Sequence, residues 1–193
     1  TAYTGMDALA HSLEAFCSSY FHPLSQGIAL EGISIVHKYL LRAFRNGKDI
    51  EARSNMLTAS TMGSTAFQKG LGAIHSLSHP VGAIYNTHHG LTNGVFMPYV
   101  LLKNKSAIED KIIALSRYIN LPKNSFDSFM NWILDLKKEL GIPHTLKELI
   151  KDDSKFEEMS EMALNDPSTA CNPIKFNKND FLQLYRDTYN GIL

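Results

Sequence analysis

Apolar residues recur at three- and four-residue intervals from Thr4 to Tyr189, and nowhere does strict apolar–polar alternation mark a strand. This periodicity predicts an all-α chain. Thr4 reads as the N-cap of a first helix that carries Met6, Leu9, Leu13 and Phe16 and ends near Tyr20. Pro23 suits the first turn of a second helix, which Asn46-Gly47 stops. A third is expected from about Ile50 to Gln68, ended by Gly70 and Gly72, and a fourth from about Ala73. Pro80 removes a backbone donor inside that fourth helix and predicts a bend or interruption just after His79. A mostly apolar helix follows His88-His89-Gly90, and further helices are expected at about 107–119, 124–140, 145–150, 155–165 and 178–189. Pro122 lies in a turn between the histidine-bearing half and the C-terminal helices, not at a domain boundary.

The 193 residues are read as one domain, 1–193, able to bury a sizeable core. Nineteen basic residues balance nineteen acidic ones, so no net charge draws the chain to nucleic acid or an anionic membrane. No apolar run approaches the roughly 20 residues of a membrane-spanning helix. Cys17 and Cys171 fit no metal or redox spacing and read as thiols in a reducing, cytoplasmic compartment.

Chemistry is concentrated in a histidine constellation. Asp7 and His11 stand four residues apart, as do His75 and His79, with His89 close behind. Four-residue spacing on a helix places two side chains on one face, roughly 6 Å apart. Imidazole and carboxylate together form a ligand set for a divalent transition metal. Taken singly, each residue has a plainer use: Asp7 favours the positive end of a helix dipole, and His11 could be an ordinary surface polar group. As a group they point to an ion held by Asp7, His11, His75 and either His79 or His89. Gly70, Gly72, Gly82 and Gly90 flank the histidines and permit close backbone approach.

Two segments carry a family resemblance. Gly5-Met6-Asp7-Ala8-Leu9-Ala10-His11-Ser12-Leu13-Glu14-Ala15 resembles the first signature of the iron-containing (group III) alcohol dehydrogenases. Gly70-Leu71-Gly72-Ala73-Ile74-His75-Ser76-Leu77-Ser78-His79-Pro80-Val81-Gly82, running on to His89-Gly90-Leu91-Thr92-Asn93, resembles the second. Gly141-Ile142-Pro143, Ala163-Leu164-Asn165-Asp166 and Asn172-Pro173 agree in the tail.

The resemblance implies the helical, metal-binding domain of a two-domain enzyme whose N-terminal α/β domain binds NAD(P). The chain opens without Met on Thr1, already at the start of a helix, and is therefore expected to be a fragment, inactive alone and self-associating when full length. The resemblance assigns Asp7, His11, His75 and His89 as metal ligands and makes His79 an additional active-site histidine, a proton relay or orienting group. It implies Fe(II), although three nitrogens and one oxygen do not by themselves select Fe(II) over Zn(II) or Mn(II). The implied reaction is NAD(P)-linked interconversion of a small alcohol and its carbonyl compound, with neither nucleic acid nor membrane as partner.

Two positions depart from the family pattern: His88 stands where many members have Pro, and Gln68-Lys69 where many have small or apolar residues. Lys69 is expected at the substrate channel, favouring a carboxylate or polyhydroxy substrate. Alternatives are a zinc-type relative, similar to glycerol dehydrogenase or dehydroquinate synthase, and a non-catalytic helical interaction domain.

Overall fold

The computed structural model describes all residues, Thr1–Leu193, and contains helices only. Nine α-helices follow one another: α1 Ala2–Cys17, α2 Pro23–Arg45, α3 Ile50–Ala66, α4 Ala73–Tyr85, α5 His89–Lys103, α6 Lys105–Tyr118, α7 Phe126–Glu139, α8 Phe156–Leu164 and α9 Lys178–Asn190. Short 3₁₀ turns occupy Phe67–Lys69, Leu146–Glu148 and Pro167–Cys171. No helix is long and apolar enough to cross a membrane.

The central element is α1. Its predicted stripe, Met6, Leu9, Leu13 and Phe16, is buried, but so are Gly5, Ala8, Ala10, Ser12 and Ala15 on the rest of its surface. Helices α2 and α3 pack against one side of α1, and α5 covers another. Small residues on α1 let these helices approach closely. Helices α8 and α9 pair and brace α4 and α5 from the C-terminal side. One continuous apolar core runs from Met6 through Ile74, Phe96 and Ile133 to Tyr185.

Helix termini follow local chemistry. His22 accepts the Ser25 N–H and Pro23 fills the first turn of α2. Asp49 caps α3 through the Ala52 N–H, Ser125 caps α7, and Asn177 with Asp180 forms a reciprocal box on α9.

Three expectations change. Helix α1 starts at Ala2, so Thr4 is a helical residue whose hydroxyl donates to the Thr1 carbonyl. Helix α4 is not interrupted after His79; Pro80 lies inside it and the helix continues to Tyr85. The Tyr185 hydroxyl, from α9, donates to the Leu77 carbonyl (2.8 Å), and Val81 is buried on the same helix, so tertiary packing carries α4 past the lost hydrogen bond. The segment expected as a helix at 145–150 forms only a 3₁₀ turn.

Candidate metal centre

Helices α1, α4 and α5 each bring one edge of the site. Asp7 and His11 lie one turn apart on α1, with His11 Nδ1 3.8 Å from Asp7 Oδ2. His75 projects from α4, its Nε2 3.8 Å from Asp7 Oδ1. His89 opens α5, its Nε2 3.2 Å from the same Asp7 oxygen. One donor atom each from Asp7, His11 and His75 falls within 4.8 Å of the others. The His75 ring lies 4.7 Å from His11 and 5.2 Å from His89, centre to centre.

Glycine makes the approach of α5 possible. A Cβ built on Gly90 would fall 2.1 Å from the Tyr3 carbonyl oxygen and 3.1 Å from Asp7 Cβ. Only a residue without a side chain lets the first turn of α5 meet the first turn of α1 here, and this contact sets His89 against Asp7. His88, one residue earlier, is exposed and packs edge-on to Tyr3 at 5.0 Å. The structure brings His89, not His88, to the cluster.

The orientation of His75 comes from Glu14, also on α1. Its Oε2 lies 2.5 Å from His75 Nδ1, and its Oε1 accepts the Ile74 N–H at 2.7 Å. Both side chains are buried. A carboxylate has no hydrogen to give, so Nδ1 carries the proton and Nε2 presents its lone pair to the cluster. The first N–H of α4 is capped as well: Ala73 donates to Asn172 Oδ1 (3.1 Å), and Asn172 exchanges amide hydrogen bonds with Asn104. A side chain at Gly72 would meet both Asn172 Oδ1 and Glu14 Oε1 at 3.0 Å, which is why two side chains can converge on this helix end.

Asn93 lies one turn beyond His89 and is fully buried. Its Nδ2 lies 2.8 Å from Asp7 Oδ1, 3.1 Å from His89 Nε2 and 3.3 Å from His75 Nε2. Its Oδ1 is buried without a partner. Neither Glu14 nor Asn93 is among the candidate residues of the sequence. The His89–Asn93 spacing repeats that of Asp7–His11, and Glu14 is a charged residue inside an otherwise apolar run; both were available signals.

Electrostatics match a cation site. Burial works against the Asp7 carboxylate, but hydrogen bonding and charge from His89, His11 and Asn93 outweigh it and hold its pKa at about 2. Burial and the neighbouring His75 push the His11 imidazole below its ordinary value, against the pull of Asp7 and Glu14. An ionised carboxylate beside a neutral imidazole is the protonation state a metal requires. The spacing fits too. Bonds of about 2.1 Å in a tetrahedral site separate ligand atoms by about 3.4 Å, and the Asp7–His89 and Asp7–His75 separations of 3.2 and 3.8 Å bracket that figure.

His79 stands apart. It lies one turn below His75, stacked on His89 with ring centres 5.4 Å apart, and is 42% exposed. Its Nδ1 meets Asp166 Oδ2 at 2.7 Å, a contact that raises its pKa despite partial burial.

Lys69 does not line the channel. It is 1% exposed, and its ammonium donates to the Phe16 carbonyl (3.3 Å) and to Gln26 Oε1 (3.1 Å). Lys111 donates to the carbonyls of Cys17 and Ser18 beside it. The two lysines satisfy carbonyls at the C-terminus of α1, where the helix dipole favours positive charge. Burial drops the Lys69 pKa to about 8, and the nearby Lys111 adds to the effect.

The sequence pattern described as "Fe-containing alcohol dehydrogenase family, C-terminal" matches residues 1–189. The 4-hydroxybutyrate dehydrogenase of Cupriavidus necator is 37% identical over 95% of this chain and 50% of its own length. The NADPH-dependent butanol dehydrogenase of Clostridium saccharobutylicum is 32% identical over 99% of this chain and 51% of its own length. A crystal structure of 1,3-propanediol oxidoreductase superposes with a TM-score of 0.92 at 31% identity, covering 98% of this chain and 51% of that one. The iron-containing alcohol dehydrogenase of Thermococcus thioreducens superposes with a TM-score of 0.89 at 31% identity, over 98% and 50%. The chain thus spans about half the length of the relatives it matches. It belongs to the iron-containing alcohol dehydrogenase family and matches that family's C-terminal, helical part.

Proposed function

We propose that this chain is the metal-binding half of an NAD(P)-linked alcohol dehydrogenase, with Asp7, His11, His75 and His89 holding one divalent ion. The observation that carries the reading is the convergence of Asp7, His11 and His75 donor atoms within 4.8 Å of one another, with His89 Nε2 brought to 3.2 Å from Asp7 Oδ1 and His75 turned by Glu14 to offer Nε2. Iron fits the family; the donor set does not by itself select Fe(II) over Zn(II) or Mn(II). When bound, the ion acts as a Lewis acid on the alcohol or carbonyl oxygen.

This chain's own residues do the rest. Glu14 fixes the His75 ring from behind so that Nε2 is preset for binding, whereas the Asn93 amide, which meets Nε2 of His75 and His89, gives those two contacts up to the ion. His79, beside the proposed ligands and partly exposed, would take up the substrate hydroxyl proton at Nε2 in the oxidation and return it to the oxygen in the reverse direction, while a bound nicotinamide would supply the hydride chemistry. The nicotinamide is held mainly by residues outside this chain. The relatives' names share a primary alcohol, as in 4-hydroxybutyrate, butanol and 1,3-propanediol, and primary alcohols are the substrate class we assign.

Metal analysis of protein purified without air tests the site. One divalent ion per chain is expected, retained in His88→Ala and lost in His75→Ala and His89→Ala. Absence of metal from the wild type, or its loss in His88→Ala alone, would overturn the assignment.

A further inference from the structure

The two histidines of α4 are held by the same device. His75 Nδ1 meets a Glu14 oxygen while the other Glu14 oxygen accepts the Ile74 N–H at the start of α4. His79 Nδ1 meets Asp166 Oδ2 at 2.7 Å while Asp166 Oδ1 accepts the Ser168 N–H at 2.8 Å, capping the 3₁₀ turn Pro167–Cys171. In each case one carboxylate oxygen is spent on a helix end, which fixes the carboxylate, and the other fixes an imidazole.

The Asp166 end is itself anchored. Thr169 in the same turn donates to the Ala163 carbonyl (2.6 Å) and contacts the Ser76 hydroxyl (2.7 Å), so the turn is tied to α8 and back to α4. Asp166 is only 12% exposed, whereas His79 is 42% exposed and makes no hydrogen bond within the chain through Nε2. Ring stacking on His89, with the planes 14° apart, sets the plane of His79; the Asp166 contact sets which edge faces the protein.

We propose that Asp166 is the positioning residue of the reaction's proton carrier: it holds His79 as the Nδ1–H tautomer and turns the unprotonated Nε2 outward to the reacting oxygen. The geometry places a proton on Nδ1, because a carboxylate at 2.7 Å can only accept, so whenever the ring is neutral it is the Nδ1–H tautomer with Nε2 free. Its catalytic consequence rests on the dehydrogenase reading above. Without Asp166, nothing in the chain dictates which ring nitrogen carries the hydrogen, and the Nε2–H form, which cannot accept the hydroxyl proton, becomes populated.

Two variants separate the helix-capping duty of Asp166 from its duty to His79. Asp166→Ser keeps an oxygen that caps the Ser168 N–H but is too short to reach the ring. Asp166→Asn keeps one carbonyl oxygen, which accepts from Nδ1 when the amide NH2 turns toward Ser168 and the cap is given up. The tautomer of His79 is read by long-range proton–nitrogen correlation in zinc-loaded protein labelled with ¹⁵N-histidine, the signal being assigned with His79→Gln. The wild type and Asp166→Asn should show Nδ1–H, and Asp166→Ser should show mostly Nε2–H, all with the same metal content per chain. In the active enzyme, kcat should fall about tenfold or more in Asp166→Ser with KM nearly unchanged, and recover substantially in Asp166→Asn. An Nδ1–H tautomer persisting in Asp166→Ser, or loss of metal in step with activity, would overturn the proposal. A wild-type enzyme that shows the Nδ1–H tautomer but no metal-dependent alcohol oxidation would instead overturn the dehydrogenase reading and leave the tautomer assignment standing.

Discussion

Glu14 Oε2 lies 2.5 Å from His75 Nδ1, and the same carboxylate accepts the Ile74 N–H through its other oxygen. One side chain of α1 therefore both seats α4 and aims its histidine. Glu14→Gln should weaken metal binding about 10–100-fold, as loss of a partner behind a ligating histidine typically does. Competition against a chelator of known affinity gives the measurement. Glu14→Ala should also lower stability by about 1–3 kcal/mol, since Ile74 N–H and His75 Nδ1 are left buried without acceptors. Unchanged metal affinity in Glu14→Gln would show that the His75 ring is held by packing alone.

Gly90→Ala should be more damaging than its size suggests. The added carbon would fall 2.1 Å from the Tyr3 carbonyl, a rigid backbone atom, so α5 must withdraw from α1 and carry His89 from Asp7. Metal content should drop and stability fall by about 1–3 kcal/mol, the usual cost of overpacking. Gly82→Ala on α4 is the control. Its nearest atom there, the Thr87 carbonyl oxygen, is 3.9 Å away, and a helical Gly→Ala change should raise stability by up to about 1 kcal/mol without touching the metal. Equal behaviour of the two variants would refute the close-approach argument.

Much of this architecture was written in local patterns, and the remainder in long-range contacts no spacing rule reports. Helical periodicity gave the elements, and the Asp7–His11 pair and His75 were visible as ligand candidates because four-residue spacing is local. His79 and His89 could not be told apart from the residues alone: both follow His75 closely, and only the docking of α5 on α1 through Gly90 brings His89 to Asp7. Pro80 reads as a helix break because the donor it removes is local, whereas the contacts that offset the loss come from α9, over a hundred residues on. The same holds for Lys69. A lysine next to a Gly-rich turn looks free, and the Phe16 carbonyl that receives it lies 53 residues back.

Lys69→Met accordingly tests a structural role. In the active enzyme, the ratio of kcat/KM for a hydroxy acid to that for a neutral primary alcohol of similar size should stay within about twofold of the wild type, because the ammonium is directed at α1 and not at substrate. Because burial already penalises the Lys69 charge and drops its pKa to about 8, the variant should lose stability relative to the wild type chiefly as pH rises from about 8 toward 10.5, where the folded lysine is neutral and keeps its hydrogen bonds. A tenfold drop for the hydroxy acid alone would return Lys69 to the substrate channel.

Lys137 offers the clearest pH dependence away from the metal. It projects from α7 into the core, is 2% exposed, and its ammonium meets one acceptor, the Val95 carbonyl at 3.3 Å. Burial drops its pKa to about 7, with the charge of Glu148 opposing weakly. In the unfolded chain the same group titrates near its ordinary value of 10.5. Between these values the unfolded state binds the proton and the folded state does not, so this group makes stability rise with pH from about 7 to about 10.5. Below pH 7 the penalty of holding the charge inside is fully present. The slope approaches about 1.4 kcal/mol per pH unit within the window. Lys137→Met keeps much of the volume and removes the titration, giving up one hydrogen bond. It should be more stable than the wild type at pH 6.5, by on the order of 2–4 kcal/mol, and the gap should narrow steadily toward pH 9. Urea unfolding of both proteins across that range, at fixed metal loading, measures the difference, in which other titrating groups cancel. Parallel stability curves would show that the Lys137 ammonium reaches water in the folded protein.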